Sequence, residues 1–297
     1  MTLPAASLVL CTRDRPAFLV DTLRSILAGD EVPAEIVVAD QSAIPREGLA
    51  ALAEGRPCEI RHVPLRSVGL GRARNAGVAA ARHEILAFID DDMWVGRGWW
   101  GALLRSLLAE GPRSVVTGQV RAAPPEVPGG IAPSVMLGDE RRVYEGRLDG
   151  DVLAAGNMAL HRAAFAEVGM FDERLGAGGR FPSSEDNDFC FRLLEAGYRI
   201  VYEPDAVLEH RAWRTKGDYV RLRWRYGRGN GAYYAKHLAP GDGRMLRRMG
   251  ADVARQLGKV PGRLRRRELR MMASDAAFVL GLAAGAAEWL LTQRRDG

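Results

Sequence analysis

Four short strand-like runs, three of them apolar and closed by polar residues, constrain the fold of this chain more than any other feature. Residues 7–11 (SLVLC) lead into Thr12-Arg13-Asp14, and residues 35–39 (EIVVA) end at Asp40. Residues 59–63 (EIRHV) form a shorter run, and residues 85–89 (ILAFI) run directly into Asp90-Asp91-Asp92. Helical spacing alternates with these runs. In residues 17–28, Phe18, Leu19, Leu23, Ile26 and Leu27 share one face before Gly29; residues 72–82 are alanine-rich, and residues 99–108 read as a further helix. Strands alternating with helices imply a mainly parallel sheet covered on both faces. Ligands bind such sheets beyond the carboxyl ends of the strands, where Thr12-Arg13-Asp14, Asp40 and the three aspartates all fall.

The second half is less regular. Residues 115–120 read as a strand and residues 122–133, rich in proline and glycine, as a loop; residues 153–160 carry Gly156-Asn157 inside an apolar stretch. In PSSEDNDFCFRLLEAGYRI, Ser183 or Ser184 is the expected N-cap, Glu185 and Asp186 fill the first turn, and Gly197 ends the helix. Residues 199–202 read as a short strand ahead of Pro204, and the chain is mostly helical from about Asp218. Segments 1–217 (halves 1–120 and 121–217) and 218–297 are therefore the expected units. At 297 residues, 47% hydrophobic and 27% charged, the chain has ample material for a buried core and is not a disordered one.

The formal net charge is +5, with the basic excess concentrated from Arg211 to Arg270, which implies an anionic partner. Residues 276–287 are apolar but shorter than the roughly 20 residues of a spanning helix. Next to the basic 263–270 segment they suit either a helix packed on the body or one resting on an anionic membrane surface. Cys11, Cys58 and Cys190 are too widely spaced for a zinc site or a disulfide framework, and the N-terminal run lacks the features of a signal peptide. A cytoplasmic protein, with a peripheral place on the inner membrane face open to it, is expected.

Chemistry concentrates in four places. Three adjacent carboxylates at a strand end repel one another and call for a cation; oxygen donors suit Mg²⁺ or Mn²⁺, although the alternative is a solvated turn. Residues 69–77 (GLGRARNAG) open a helix with Arg72, Arg74 and Asn75, which suits phosphate, yet the segment lacks a P-loop lysine. Glu185-Asp186 with Asp188 could be simple helix capping or could supply a general base. His210, read as a loop residue, is a metal ligand only if it lies near the aspartates.

Taken in order, SLVLCTRDRPAFLVDTLRSI, EIVVADQS, GLGRARNAGVAAARHEILAFIDDD and GNMALHRAAFAEVGMFDERL followed by SSEDNDFCFRLLEAGYRIVYEPDAVLEHR resemble glycosyltransferase family 2 over roughly residues 5–235. The resemblance implies a GT-A fold: a Rossmann-like, mixed but mainly parallel sheet flanked by helices, here with a helical C-terminal extension. It also implies a nucleotide-diphosphate sugar donor. Thr12, Arg13 and Asp14 would line the nucleoside pocket, Asp40 would contact base or ribose, and Arg74 and Asn75 would sit near base or pyrophosphate. Asp91 and Asn157 are counted with the donor-binding residues. Asp90 and Asp92, matching the aspartate-any-aspartate motif, and His210 would hold the divalent cation. Asp186, with Glu185 beside it, would be the base of a single inverting displacement. Ala39 and Gln41 depart from the family's second-strand pattern, and no clear Gln-x-x-Arg-Trp motif is present, so addition of a single sugar to an unknown acceptor is expected. The competing readings are a metal-dependent nucleotidyltransferase, which would need a glycine-rich basic loop where Thr12-Arg13-Asp14-Arg15-Pro16 stands, and a degenerate binding or scaffold protein. A nucleic-acid partner is not expected, because the basic third has no recognisable reading motif.

Overall fold

The structure, a computed structural model, describes residues 2–296; Met1 and Gly297, the outer ends of the two expected segments, lie outside the described residues. The order along the chain is β1 (Ala6–Thr12), α1 (Pro16–Leu27), β2 (Glu35–Asp40), a 3-10 turn (Leu49–Ala53), β3 (Glu59–Pro64), α2 (Leu70–Ala80), β4 (Ile85–Asp90), β5 (Met93–Val95), α3 (Trp99–Glu110), β6 (Ser114–Ala122), β7 (Arg142–Tyr144), β8 (Asn157–His161) and α4 (Ala163–Val168). Next come α5 (Glu185–Glu195), β9 (Arg199–His210), α6 (Lys216–Lys236), α7 (Arg244–Gly258), α8 (Val260–Arg265) and α9 (Leu269–Asp296). One nine-stranded sheet has the order β3-β2-β1-β4-β8-β6-β9-β5, with β7 on the side of β9.

β3, β2, β1 and β4 are parallel, as the apolar runs implied, because both sheet faces are covered. One buried cluster gathers α1 and α3 under the sheet (Leu23, Ile26, Leu103, Leu104); the other gathers α2, α4 and α5 over it (Ala73, Phe165, Phe189, Leu193). β8 runs antiparallel to both β4 and β6 and makes the sheet mixed. The parallel register sets the site. Thr12 lies opposite Asp40, and Cys11 lies opposite Asp90, so the three strands end together at one edge.

The structure corrects several expectations. The strand at residues 199–202 continues to His210 and passes through Pro204, because the β6 register breaks between Gly118, opposite Glu203, and Val120, opposite Leu208. A proline has no N–H for a ladder, so it falls where the ladder is interrupted. β5 and β7, three residues each, carry too short a pattern to be read from periodicity. Ser184 precedes α5 but does not cap it: its φ is 71°, in the left-handed region, and its side-chain hydroxyl donates to Asn230.

The C-terminal helices join the body instead of standing apart. The expected boundary at 217/218 falls within the first turn of α6. α6 lies along α9 with glycines on both sides of the seam. A Cβ on Gly227 would stand 2.1 Å from the Phe278 carbonyl oxygen, one on Gly231 2.0 Å from that of Leu282, and one on Gly285 2.0 Å from that of Arg228. Small residues four apart on each helix let the backbones approach closely. α9 is also longer than its apolar centre suggested. Leu269–Thr292, 24 residues of mean hydropathy 1.3, could cross a membrane by length and composition alone; a third of it is buried within this fold.

Candidate active site

The turn after β4 divides the three aspartates by what surrounds them. β5 runs antiparallel to β9, so Met93 pairs with His210, and the Arg211 amide donates to the Asp92 carbonyl. That pairing brings the end of β9 against the turn. Asp91 points inward and is fully buried. Thr12 Oγ1 donates to its carboxylate at 2.6 Å, Arg15 pairs with it, and Thr22 caps its carbonyl. Asp92 pairs with Arg15 at 2.8 Å and lies 3.5 Å from His210 Nε2. Burial pushes Asp92 up, but the hydrogen bond and charge of His210, with Arg15, outweigh it and hold the carboxyl well below the usual range.

Asp90 faces the cleft. The buried Arg74 reaches from α2 and donates to Asp90 Oδ1 at 3.2 Å and to Glu185 Oε1 at 3.0 Å. One guanidinium thus ties the strand-end aspartate to the first turn of α5, and the charges of Asp90 and Glu185 raise its already high pKa against the effect of burial. On the other flank of Asp90 lies Gly156, where a Cβ would come 2.7 Å from Asp90 Oδ2. Glu185 packs against Gly176 (φ 93°), where a Cβ would meet the carboxyl group at 3.0 Å. Asp186 is held by one hydrogen bond, from the Asn187 amide at 2.9 Å. Burial, then the neighbouring Glu185 charge, pushes its carboxyl up to about 7. Asp188 is fully buried and is taken by His237, Arg192 and Lys236.

Two cavities meet along this line, sharing Asp90, His210, Leu70, Ala177, Pro182 and Tyr226. The larger, about 740 Å³, is bordered by Thr12, Arg13, Gln41, Gly69, Asp92 and a set of arginines: Arg15, Arg180, Arg214, Arg225 and Arg228. The smaller, about 440 Å³, holds Arg74, Glu185, Asp186, Asn187 and Asn230 under a roof from α6, α7 and α9. The larger suits a polyanion beside carboxylates; the smaller places a carboxyl of raised pKa on a polar wall.

Of the expected site residues, Thr12, Arg13, Arg74, Asp90, Asp92, Glu185, Asp186 and His210 line this pair of cavities. Four others are committed to the fold. Asp91 is enclosed by Thr12, Arg15 and Thr22. Asp40 is bound by the Ser42 amide at 2.9 Å and by His62 at 2.9 Å. Asn75 clamps the Phe171 backbone in both directions, at 3.0 Å each, so α2 holds the 171–173 loop. Asn157 is fully buried; it accepts from Trp99 Nε1 at 2.8 Å and donates to the Gln119 and Ala206 carbonyls. Asp14 (φ 54°) is tied to the 42–43 turn through the Ala43 amide. Two glycines of residues 69–77 serve packing, Gly77 on Val9 and Gly71 on the Asp172 carbonyl, while Gly69 borders the larger cavity.

The residues not foreseen are the arginines of the larger cavity and Gly156. Arg214, Arg225 and Arg228 come from the basic stretch that signalled an anionic partner without locating it. Among the described residues, no three His, Cys, Asp or Glu side chains converge into a ready metal cage, because Asp90 leans to Arg74 while Asp92 leans to Arg15 and His210. The donor chemistry nevertheless fits a hard divalent ion, and His210 Nδ1 is buried with no hydrogen-bond partner.

A mixed sheet with strand-end aspartates facing a two-part cleft defines the GT-A class of glycosyltransferase folds. The chain belongs to glycosyl transferase family 2, whose profile matches residues 7–169. It is 32% identical over 199 residues to the pre-mycofactocin glycosyltransferase of Mycobacterium tuberculosis, covering 65% of this chain and 40% of that one. It is also 32% identical over 247 residues to the succinoglycan biosynthesis protein ExoM of Rhizobium meliloti, covering 76% of this chain and 74% of that one. The chain thus spans well under half the length of its mycobacterial relative. Among solved structures, the mannosyltransferase PcManGT of Pyrobaculum calidifontis, in complex with GDP-Man and Mn²⁺, shares the fold with TM-score 0.62 at 16% identity, over 96% of this chain and 88% of that one.

Proposed function

We propose that this protein transfers a sugar from a nucleoside-diphosphate sugar to an acceptor hydroxyl, with inversion, one sugar at a time. The carrying observation is the junction of the two cavities at Asp90, where Arg74 links Asp90 to Glu185 and Asp186 lines the smaller cavity beside them. In this reading the larger cavity takes the donor, its diphosphate held by the arginine set, and the smaller takes the acceptor. Asp186 accepts the acceptor O–H proton as that oxygen bonds to the anomeric carbon. The bond from that carbon to the diphosphate oxygen breaks, and its electron pair leaves with the diphosphate. A carboxyl pKa raised to about 7 makes a better base than an ordinary aspartate while still leaving about half of it ionised at neutrality. Glu185 is a positioning residue that acts through Arg74.

Asp90 and Asp92, with His210 at the rim, would hold a Mg²⁺ or Mn²⁺ ion, with donor phosphates and water completing its shell. Such an ion neutralises charge on the leaving diphosphate. The bound GDP-Man and Mn²⁺ of the archaeal structure support a nucleotide sugar and a divalent cation as ligand classes.

The same reading keeps residues 263–291 as a contact with anionic membrane. Leu264, Leu269, Leu280, Leu290 and Leu291 are exposed there beside Arg265, Arg267 and Arg270. The test of the transfer reading is a donor panel, with and without Mn²⁺ or Mg²⁺, and then the configuration of the product; a retained configuration would remove the single displacement.

A further inference from the structure

The far wall of the smaller cavity is built for an anion. Arg223, from α6, lies over the Phe278 ring at 4.0 Å and donates through Nη2 to Gln256 Oε1 at 2.9 Å. Lys259 donates to the same oxygen, also at 2.9 Å. Two cations thus converge on one buried, neutral amide oxygen. Among the described residues no carboxylate pairs with either. The nearby acids are spoken for: Asp252 by Arg255 at 3.1 Å and by the Tyr234 hydroxyl at 2.8 Å, and Asp275 by Arg263 at 2.9 Å. Burial lowers the pKa of both Arg223 and Lys259; the charge of Asp275, joined at Arg223 by Tyr219 and Asp252, opposes it without offsetting it, and Arg263 adds to the lowering. Arg223, Arg255 and Gln256 line the cavity into which Asp186 opens.

We infer that this wall is an anion subsite of the acceptor cavity, and that the acceptor carries a phosphoryl monoester away from the hydroxyl that is glycosylated. The inference rests on the assignment of the smaller cavity to the acceptor. A guanidinium stacked on a ring and held by an amide presents its remaining N–H groups from a fixed plane, and such a fork pairs with two oxygens of one phosphoryl group. A bound phosphoryl group would also relieve the repulsion between Arg223 and Lys259. A free phosphate ester and a lipid phosphate share this chemistry and differ in the group esterified to the phosphorus.

The test titrates phenyl phosphate, with benzyl alcohol as neutral control, into the full-length protein in EDTA by calorimetry. Dihexanoyl phosphatidic acid forms a second arm. Phenyl phosphate is expected to bind and benzyl alcohol not to, with Arg223→Gln weakening binding about tenfold or more and Arg223→Lys less. Arg225→Gln, which alters the other cavity, should leave that binding intact. Tighter binding of the short-chain lipid that is also lost in Arg223→Gln identifies the lipid source; equal or weaker binding identifies the soluble one. Melting temperatures of the variants near wild type show that the fold is kept. Phenyl phosphate binding that survives Arg223→Gln unchanged, or that fails in the wild type, overturns the subsite. Nucleoside diphosphate binding in Mn²⁺ is expected to be unaffected in the Arg223 variants and weakened in Arg225→Gln, which alters the larger cavity. Its absence in the wild type would instead count against the donor reading while leaving the anion result standing.

Discussion

At the scale of single residues, the proposed chemistry turns on Asp186. Its carboxyl is pushed up to about 7 by burial and by Glu185, so the ionised base is lost as pH falls through that value. The transfer rate is expected to climb through pH 7 and level off above it, as read from initial rates; a flat profile from pH 5 to 8 contradicts the assignment. The stability consequence has the opposite sign. A carboxyl whose folded pKa lies above its unfolded value, about 4, destabilises the fold progressively as pH rises between the two. Asp186→Asn removes that penalty. The variant should therefore abolish transfer, keep donor binding and melt no lower than wild type at pH 8. A lower melting point with proportionate loss of donor binding would make Asp186 structural. Gly156 offers an independent check. A methyl group there would enter the space of Asp90 Oδ2, so Gly156→Ala is expected to cost about 1–3 kcal/mol by overpacking and to weaken metal-dependent donor binding, both measurable by calorimetry. Asp90, Asp92 and Asp186 could be picked out in the sequence because each lies at or beside the end or beginning of a legible element, and the structure brings all three to the joined cavities. The residues alone did not separate the three aspartates; the family resemblance singled out Asp90 and Asp92, and the partner of Asp91 was hidden because Arg15, which takes it, lies 76 residues away. The internal hydrogen bonds of Asn75 and Asn157 were hidden for the same reason: the groups that bind them come from distant parts of the chain.

At the scale of elements, the parallel half of the sheet was legible because doubly buried strands are continuously apolar and end at polar residues. β9 was less so, because its proline sits at a register break that only the partner strand reveals. The α6–α9 seam was spelled out as Gly227, Gly231, Gly281 and Gly285, yet which helix meets which is non-local information. α6 also carries Gly229, against Ser183 just before the Glu185-Asp186 turn, where a Cβ would stand 2.0 Å from Ser183 Oγ. The seam therefore helps to set the position of the Glu185-Asp186 turn. Gly231→Ala or Gly285→Ala is expected to destabilise by about 1–3 kcal/mol, a drop of several degrees in melting temperature. Gly229→Ala should lower turnover more than its stability loss explains. Melting points unchanged in both seam variants would mean the helices do not meet along this seam.

At the scale of the whole molecule, charge and apolar surface gather in the last third. Arg214, Arg225 and Arg228 face the larger cavity, while Arg265, Arg267 and Arg270 lie on the exterior among exposed leucines. Replacing those last three by glutamate should release the protein from anionic vesicles in a flotation assay and leave donor binding intact; undiminished flotation would place the contact elsewhere. Point substitutions serve better than truncation before Arg263, which would remove α9 from its seam with α6. The basic excess was plain in the sequence, but its division between a cavity and an outer face depends on how α6 to α9 fold back over the sheet. The central claim is that the larger cavity binds a nucleotide sugar together with a divalent ion at Asp90 and Asp92. It is tested most directly by the melting temperature against a panel of nucleotide sugars, with Mn²⁺ or with EDTA, for wild type and Asp92→Asn. At a hundredfold excess over Kd, one donor should add about 2.7 kcal/mol of stability with Mn²⁺, and much less with EDTA or in the variant. No shift with any nucleotide sugar in the presence of Mn²⁺ would contradict that claim.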